Sequence, residues 1–479
     1  MGEGDEARKI LEALDTTSTG RFHYRTVFIA GMGFFSDAYD LFVTSTAIPI
    51  ISSVFMITDT NNIFGVPSLG PLSAASVETG MIGSMALFGA FIGALIFGRI
   101  ADIKGRRYIY GLEMTILVLF AIISALSVNV TMLLISRFIL GVGIGGDYPV
   151  SSTLMSEYSN IKNRGRMVLM VFAMQGFGLL LGTVVGLVSV RFASLDLAWR
   201  IMLGFGAVPA STVIYLRRKI KESPRFSLQV KGDIEGAKKA VESVTGNTFS
   251  VNGGSADHRV NKIRGILKKY WITLLGTAGS WFILDMAYYG TSVNSGNILK
   301  AIGYGTVAGN LHQTIFNIAV GNAILAAGFA IPGYWFAVMT VDRFGRKYLQ
   351  IAGFAVMSAI YFIFALRYYY VLSDFSLFLL LYGLSYFFTN AGPNSTTFIL
   401  PTELFPTSIR TTGHGISASS GKLGAGLFTF LLPVLQTLYG LPTVLYLLAS
   451  FAVIGVLLTL FTISETKNQP LEVSSAYHG

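Results

Sequence analysis

Gly98-Arg-Ile-Ala-Asp102-Ile-Lys-Gly105-Arg106-Arg107 returns later in the chain as Asp342-Arg-Phe-Gly345-Arg346-Lys347, and both Asp102 to Asp342 and Gly105 to Gly345 are 240 residues apart. Two further pairs keep nearly the same offset. Glu157 stands seven residues before Arg164 and Glu403 seven before Arg410, each 246 apart, while Glu222 in Lys-Glu-Ser-Pro-Arg and Glu465 in Ser-Glu-Thr-Lys are 243 apart. Three ordered matches make this a chain repeated by halves.

Between the repeats the sequence is apolar. Hydrophobic residues make up 52% and charged ones only 13% of 479 residues, too few polar groups to cover a water-soluble surface. Runs of about 20 apolar residues, long enough to cross a hydrocarbon core of ~30 Å, recur throughout. Twelve are expected, near 25–53, 77–98, 107–127, 131–155, 167–190, 198–216, 271–299, 313–340, 348–368, 374–400, 412–438 and 441–463. The expected fold is all-α: a polytopic membrane protein of twelve helices in two pseudo-symmetric six-helix halves.

Lys and Arg collect in alternate loops: Arg99, Lys104, Arg106 and Arg107, then Lys162, Arg164 and Arg166, then Arg343, Arg346 and Lys347. Such loops stay on the cytoplasmic side. Residues 217–269 hold thirteen more basic residues. The expected organisation is therefore an N-terminal half (1–216), a cytoplasmic linker (217–270) and a C-terminal half (271–479), both termini inside. The first twenty residues hold no apolar run, so no cleavable signal peptide is expected before the first span. The net charge of +10 reflects this topology rather than a nucleic-acid surface. With no Cys and five scattered His residues, no metal site or cofactor is expected.

Internal repeats of this kind place a substrate site between the halves near the bilayer midplane, with the halves rocking about it. The Gly-x-x-x-Asp-x-x-Gly-Arg-Arg loop resembles the signature of the major facilitator superfamily, and the Glu and Arg pairs resemble motifs of its sugar-porter-like branch. In that loop Gly105 permits a tight turn, and Asp102 can pair with Arg106 or cap a neighbouring helix. The repeated set Asp102, Arg106, Glu157, Arg164, Asp342, Arg346, Glu403 and Arg410 reads as a gate, with Glu157/Arg164 and Glu403/Arg410 as cytoplasmic ion pairs. Gly141-x-Gly143-x-x-Gly146 formally matches a dinucleotide fingerprint, but it lies inside an apolar span and instead allows close helix packing.

Charges inside the spans are costly and mark function. Asp37 and Asp40 in span one, Asp147 in span four and Asp285 in span seven are candidate proton carriers. Arg137 in span four needs a partner or a wet cavity and serves either proton coupling or packing. Around them stand Tyr148, Gln175 in span five, Trp281, Asp285 and Tyr289 at i, i+4 and i+8 on one face of span seven, Asn394 in span ten and Lys422 in span eleven.

As strings, Gly-Phe-Phe-Ser-Asp37-Ala-Tyr-Asp40-Leu-Phe, Gly145-Gly-Asp147-Tyr148-Pro-Val-Ser, Trp281-Phe-Ile-Leu-Asp285-Met-Ala-Tyr-Tyr289 and Gly392-Pro-Asn394 resemble the phosphate:proton symporter family of that superfamily. The resemblance implies that Tyr148, Gln175, Trp281, Asp285, Tyr289 and Asn394 surround phosphate with Lys422 nearby, and that Asp37, Asp40 and Asp147 serve the proton path. The expected function is proton-coupled import of inorganic phosphate across the plasma membrane by a monomer. The alternatives are a sugar or organic-acid symporter, or a nutrient sensor. Gly290-Thr-Ser-Val-Asn294-Ser-Gly is polar for such a span. No nucleophile, base and orienter occur together and no Gly-Lys-Ser/Thr phosphate loop exists, so neither enzymatic chemistry nor ATP is expected.

Overall fold

The computed structural model describes residues 3–70, 72–246, 268–301 and 303–476; the 247–267 stretch of the expected linker, with His258, lies outside them. Among the described residues, ten helices are long and apolar enough to cross a membrane: Arg21–Val54, Ala74–Lys104, Arg106–Ala125, Val130–Tyr158, Arg164–Phe192, Leu195–Arg218, Leu311–Phe344, Arg346–Leu366, Phe375–Leu404 and Arg410–Thr462. The last is two helices meeting at Gly440, whose φ of 78° breaks the helical path. A further helix, Trp271–Val293, falls below the hydropathy of the others because Asp285 and a row of Ser, Thr, Trp and Tyr side chains occupy it. Splitting the one and adding the other restores the expected twelve, numbered here in chain order.

Several spans run past the expected ends. Span two continues to Lys104, six residues beyond 98, because its polar end leaves the apolar layer still helical and stops only where Gly105 adopts φ 105°. Other spans are broken inside. Span one pauses at Val43 between Arg21–Phe42 and Thr44–Val54, span ten breaks at Gly392 before Pro393, and span eight carries a wide turn over Ala326–Ala330. Breaks are tolerable in a membrane where the freed backbone faces protein rather than lipid.

Small residues fix the closest contact. A Cβ on Gly141 or Gly145 would come within 2.0 or 2.1 Å of the Ala86 or Ala90 carbonyl, and one on Gly89 or Gly93 within 1.9 or 2.1 Å of the Phe138 or Val142 carbonyl. Spans two and four therefore meet backbone to backbone, as expected for the glycine run. Large apolar side chains such as Phe192 and Phe461 point outward, the arrangement of a lipid-facing surface. Outside the spans, the helix Glu3–Thr16 lays Ile10 and Leu14 on Leu228, Ile234 and Val241 of the segment after span six.

Candidate functional site

The polar residues singled out in spans four, five, seven, ten and eleven converge. Lys422 donates to Asp285 Oδ2 at 2.9 Å and to the Tyr289 hydroxyl at 3.1 Å, and lies 4.5 Å from the centre of the Tyr148 ring. The Tyr289 and Tyr148 hydroxyls are 3.4 Å apart, and Gln175 Nε2 donates to Tyr148 at 3.4 Å. Tyr334, in span eight, donates to Gln175 Oε1 at 3.4 Å and accepts from Asn394 Nδ2 at 2.9 Å. The Trp281 ring lies 6.1 Å from that of Tyr148. All seven expected residues thus belong to one buried cluster spanning both halves. Tyr334, absent from the sequence reading, ties Asn394 to it.

A layer of rings lies on one side of this cluster. Phe172, Trp281 and Phe398 stand three or four positions from Gln175, Asp285 and Asn394, toward the basic loops, and Phe34 stands three before Asp37. Phe172 stacks on Phe398 at 4.2 Å, with Phe34, Tyr148 and His414 edge-on to Phe398. The layer separates the polar site from the charged loops by an apolar plug.

The acids of spans one and four occupy a second buried cluster. Arg217 Nη1 reaches Asp147 Oδ1 at 2.7 Å and Glu113 Oε1 at 2.8 Å, while Nη2 reaches Asp147 Oδ2 and the Ala30 carbonyl, each at 3.0 Å. Only a glycine fits opposite it, since a Cβ on Gly33 would lie 1.7 Å from Arg217 Nη2. Asp37, one turn further along the same face, sits in the field of Asp147 and Arg217. Arg137 donates from Nη2 to the Asp40 carbonyl and Thr44 Oγ1, each at 2.7 Å. Neither carboxyl oxygen of Asp37 or Asp40 has a hydrogen-bond partner among the described residues, and both side chains are fully buried rather than hydrated at an interface.

Arg217 and Glu113 are absent from the sequence-derived site. By charge Arg217 counts with the basic linker, yet span six runs to Arg218 and buries it completely. The signal available was its distance from the last apolar turn: it follows Leu216 directly.

At the basic loops the gate is built with a correction. The expected pairs Glu157/Arg164 and Glu403/Arg410 do not form. Glu157 instead binds Arg410 at 2.9 Å and Arg106 at 3.1 Å, while Glu403 binds Arg346 at 2.9 Å and lies 3.8 Å from Arg164. Each repeated Arg at the start of span five or eleven crosses to the glutamate of the opposite half, which the arginine of that half's own loop motif also binds. The aspartates cross as well. Asp102, 3.3 Å from Arg106, accepts from the backbone N–H of Thr411 at 3.3 Å and Thr412 at 2.6 Å at the start of span eleven. Asp342, 2.9 Å from Arg346, accepts from those of Gly165 at 3.1 Å and Arg166 at 2.7 Å at the start of span five. A carboxylate at a helix N-terminus satisfies otherwise unpaired donors and complements the helix dipole. Glu222 and Glu465 do the same within each half, accepting from Arg106 and Arg107 N–H and from Arg346 and Lys347 N–H. The two halves are therefore locked together at the basic face.

Two six-helix halves closed around a buried charged cluster and latched at one face define a major facilitator protein. The family model described as "Sugar (and other) transporter" matches residues 26–477. The probable inorganic phosphate transporter 1-6 of Arabidopsis thaliana is 37% identical over 507 residues, covering 98% of this chain and 96% of its own. The inorganic phosphate transporter 1-6 of Oryza sativa subsp. japonica is 37% identical over 525 residues, covering 99% and 96%. Among solved structures, the proton:xylose symporter XylE bound to 6-bromo-6-deoxy-D-glucose superposes with a TM-score of 0.74 at 19% identity, over 94% of this chain and 98% of that one. The chain belongs to the sugar (and other) transporter family of the major facilitator superfamily, within its inorganic phosphate transporter group.

Proposed function

We propose that the protein imports inorganic phosphate together with protons across the plasma membrane by alternating access, acting as a monomer. The observation that carries this reading is the Lys422–Asp285 pair, 2.9 Å apart and buried in a shell of hydroxyl and amide groups from both halves. Phosphate as a monoanion presents both oxyanion acceptors and hydroxyl donors. Lys422, Tyr148, Tyr289, Gln175, Trp281 and Asn394 supply donors, and Asp285 accepts from a phosphate hydroxyl. A neutral carbohydrate needs no buried ammonium, and the pair favours an anion over a sugar.

The proton has work to do at the same place. Phosphate arriving beside an ionised Asp285 is repelled, and a proton on that carboxyl removes the repulsion. Asp37 and Asp40, buried with no hydrogen-bond partner among the described residues, are far less costly as neutral acids than as carboxylates, so they suit proton carriage. Asp147 joins them through Arg217, and Arg137 holds the backbone at Asp40. The two halves rock about the site, the linker beyond Arg218 and both termini lie in the cytoplasm, and the Glu157–Arg410 and Glu403–Arg164 contacts hold the inner side shut. The polar stretch of span seven beyond Tyr289 lies on the outer approach.

In proteoliposomes, an inward proton gradient should drive phosphate accumulation without ATP, arsenate should compete, and hexoses in excess should not. Strong hexose inhibition overturns the phosphate assignment, and uptake indifferent to the gradient overturns the coupling.

A further inference from the structure

An apolar cavity of about 530 Å³ lies on the outer surface of the C-terminal half, between spans eight, nine and ten, and plays no part in the path above. Phe336, Phe344, Tyr348, Ala352, Phe388 and Ala391 line it. Tyr348 and Phe344 are exposed, 67% and 49%, so the groove opens outward, where a spanning helix meets lipid. From Phe344 at the basic end to Phe336 is eight residues of helix, ~12 Å at 1.5 Å per residue, most of the ~15 Å of one leaflet's hydrocarbon.

Its basic end is charged. The Arg343 guanidinium lies 5.6 Å from the centre of the Phe344 ring, and Lys467 Nζ donates to the Arg343 carbonyl at 2.8 Å. Neither side chain forms a salt bridge among the described residues. We propose that this groove seats one acyl chain of an anionic phospholipid, with its phosphate against Arg343 and Lys467. The cytoplasmic leaflet is the source if the orientation proposed above holds; binding itself does not depend on it.

The seat has a mechanical consequence. Its floor is the touching backbones of spans nine and ten: a Cβ on Gly353 would come within 2.2 Å of Pro393 Cδ, and one on Gly392 within 2.7 Å of Gly353 Cα. Gly392 is the break in span ten, two residues before Asn394. A chain filling the groove therefore braces the break that positions a residue of the site.

The test uses the full protein in phosphatidylcholine vesicles doped with phosphatidylglycerol carrying a photoreactive group in its acyl chain, followed by mapping of cross-linked peptides. Adducts should concentrate on 336–353 and 388–392 and exceed those from the matching phosphatidylcholine probe. Arg343→Gln should lower them about fivefold, the worth of one basic side chain at an anionic surface, and Ala352→Phe, which fills the groove, should abolish them. Adducts spread evenly over the outer spans, equal labelling by the zwitterionic probe, or labelling unchanged by Arg343→Gln would each overturn the proposal. Because Arg343 is exposed, that variant remains informative even if Ala352→Phe fails to fold.

Discussion

Glu157 at the end of span four and Arg410 at the start of span eleven meet at 2.9 Å across the two halves, and Arg106 shares the same carboxylate oxygen. The symmetry-related contact, Glu403 to Arg164, is longer at 3.8 Å. The latch is thus held more firmly by the N-terminal glutamate. Glu157→Gln leaves the buried Arg410 without its paired carboxylate and Arg106 with Asp102 alone, a loss of ~3–5 kcal/mol for a broken buried pair. Because the chain has no Cys, a thiol placed at Thr407, whose carbonyl accepts from Arg106, would be the sole reporter. Its labelling rate should rise at least about tenfold in Glu157→Gln, tenfold being ~1.4 kcal/mol, and by less in Glu403→Gln. Equal rates in both variants would contradict the asymmetry.

The loop glycines are held by two independent constraints. Gly105 and Gly345 have φ of 105° and 96°, and a Cβ on either would fall 2.1 or 2.4 Å from the Glu222 or Glu465 carboxylate. Gly105→Ala should destabilise by ~1–3 kcal/mol through backbone strain and through displacement of the cap at Arg106 and Arg107. Gly328→Ala, which meets nothing within 4 Å, is the control. Thermal unfolding in detergent should separate them; indistinguishable midpoints would refute the constraint.

Arg217 compensates two buried carboxylates at once. Arg217→Met should therefore cost ~3–5 kcal/mol, as an uncompensated buried charge does, and should abolish uptake. Adding Glu113→Gln removes one of the orphaned charges and should recover part of the stability. If the double variant is no more stable than the single one, the charge balance described here is wrong.

Outside the membrane, Arg225 joins both ends of the chain, binding Asp15 at 2.5 Å and Glu472 at 3.6 Å. Burial pushes the Asp15 carboxyl above its ordinary range despite Arg225. Burial also acts upward on Glu472, but Arg225 outweighs it and holds that carboxyl below its ordinary range. A lowered carboxyl adds stability above its unfolded pKa, ~4.3 for Glu, and loses it as pH falls through the folded value; a raised one has the opposite sign. Glu472→Gln should weaken amide protection of residues 10–16 at neutral pH and reduce its loss on acidification, whereas Asp15→Asn should cost less at neutral pH. Protection that responds identically in both variants would contradict the assignment.

The number of spans and their repetition were legible in the sequence, whereas their ends and internal breaks were not. Apolar length revealed the spans, and the offset of Asp102 from Asp342 revealed the halves. Identities such as Asp285, Lys422 and Tyr148 were readable because polar groups in apolar runs stand out. Partners were not. Nothing local to Glu157 says that Arg410, 253 residues away, is closer than Arg164, because that choice depends on how the halves face one another. Arg217 was hidden for the reverse reason, being one more basic residue in a basic stretch until the helix carried it inside. Tyr334 looked like one aromatic among many.

The most direct measurement concerns Asp285. In Asp285→Asn the side chain keeps its size and a carbonyl acceptor for Lys422 but cannot carry a proton, so phosphate should still bind while net movement no longer follows the proton gradient. The measurement compares radiolabelled phosphate counterflow with gradient-driven accumulation in proteoliposomes of this variant. The account predicts that counterflow persists and accumulation vanishes, and that Asp285→Ala, which leaves Lys422 with no acceptor at this position, loses both. An Asp285→Asn protein that still concentrates phosphate in response to pH would contradict it and move the coupling proton to Asp37, Asp40 or Asp147.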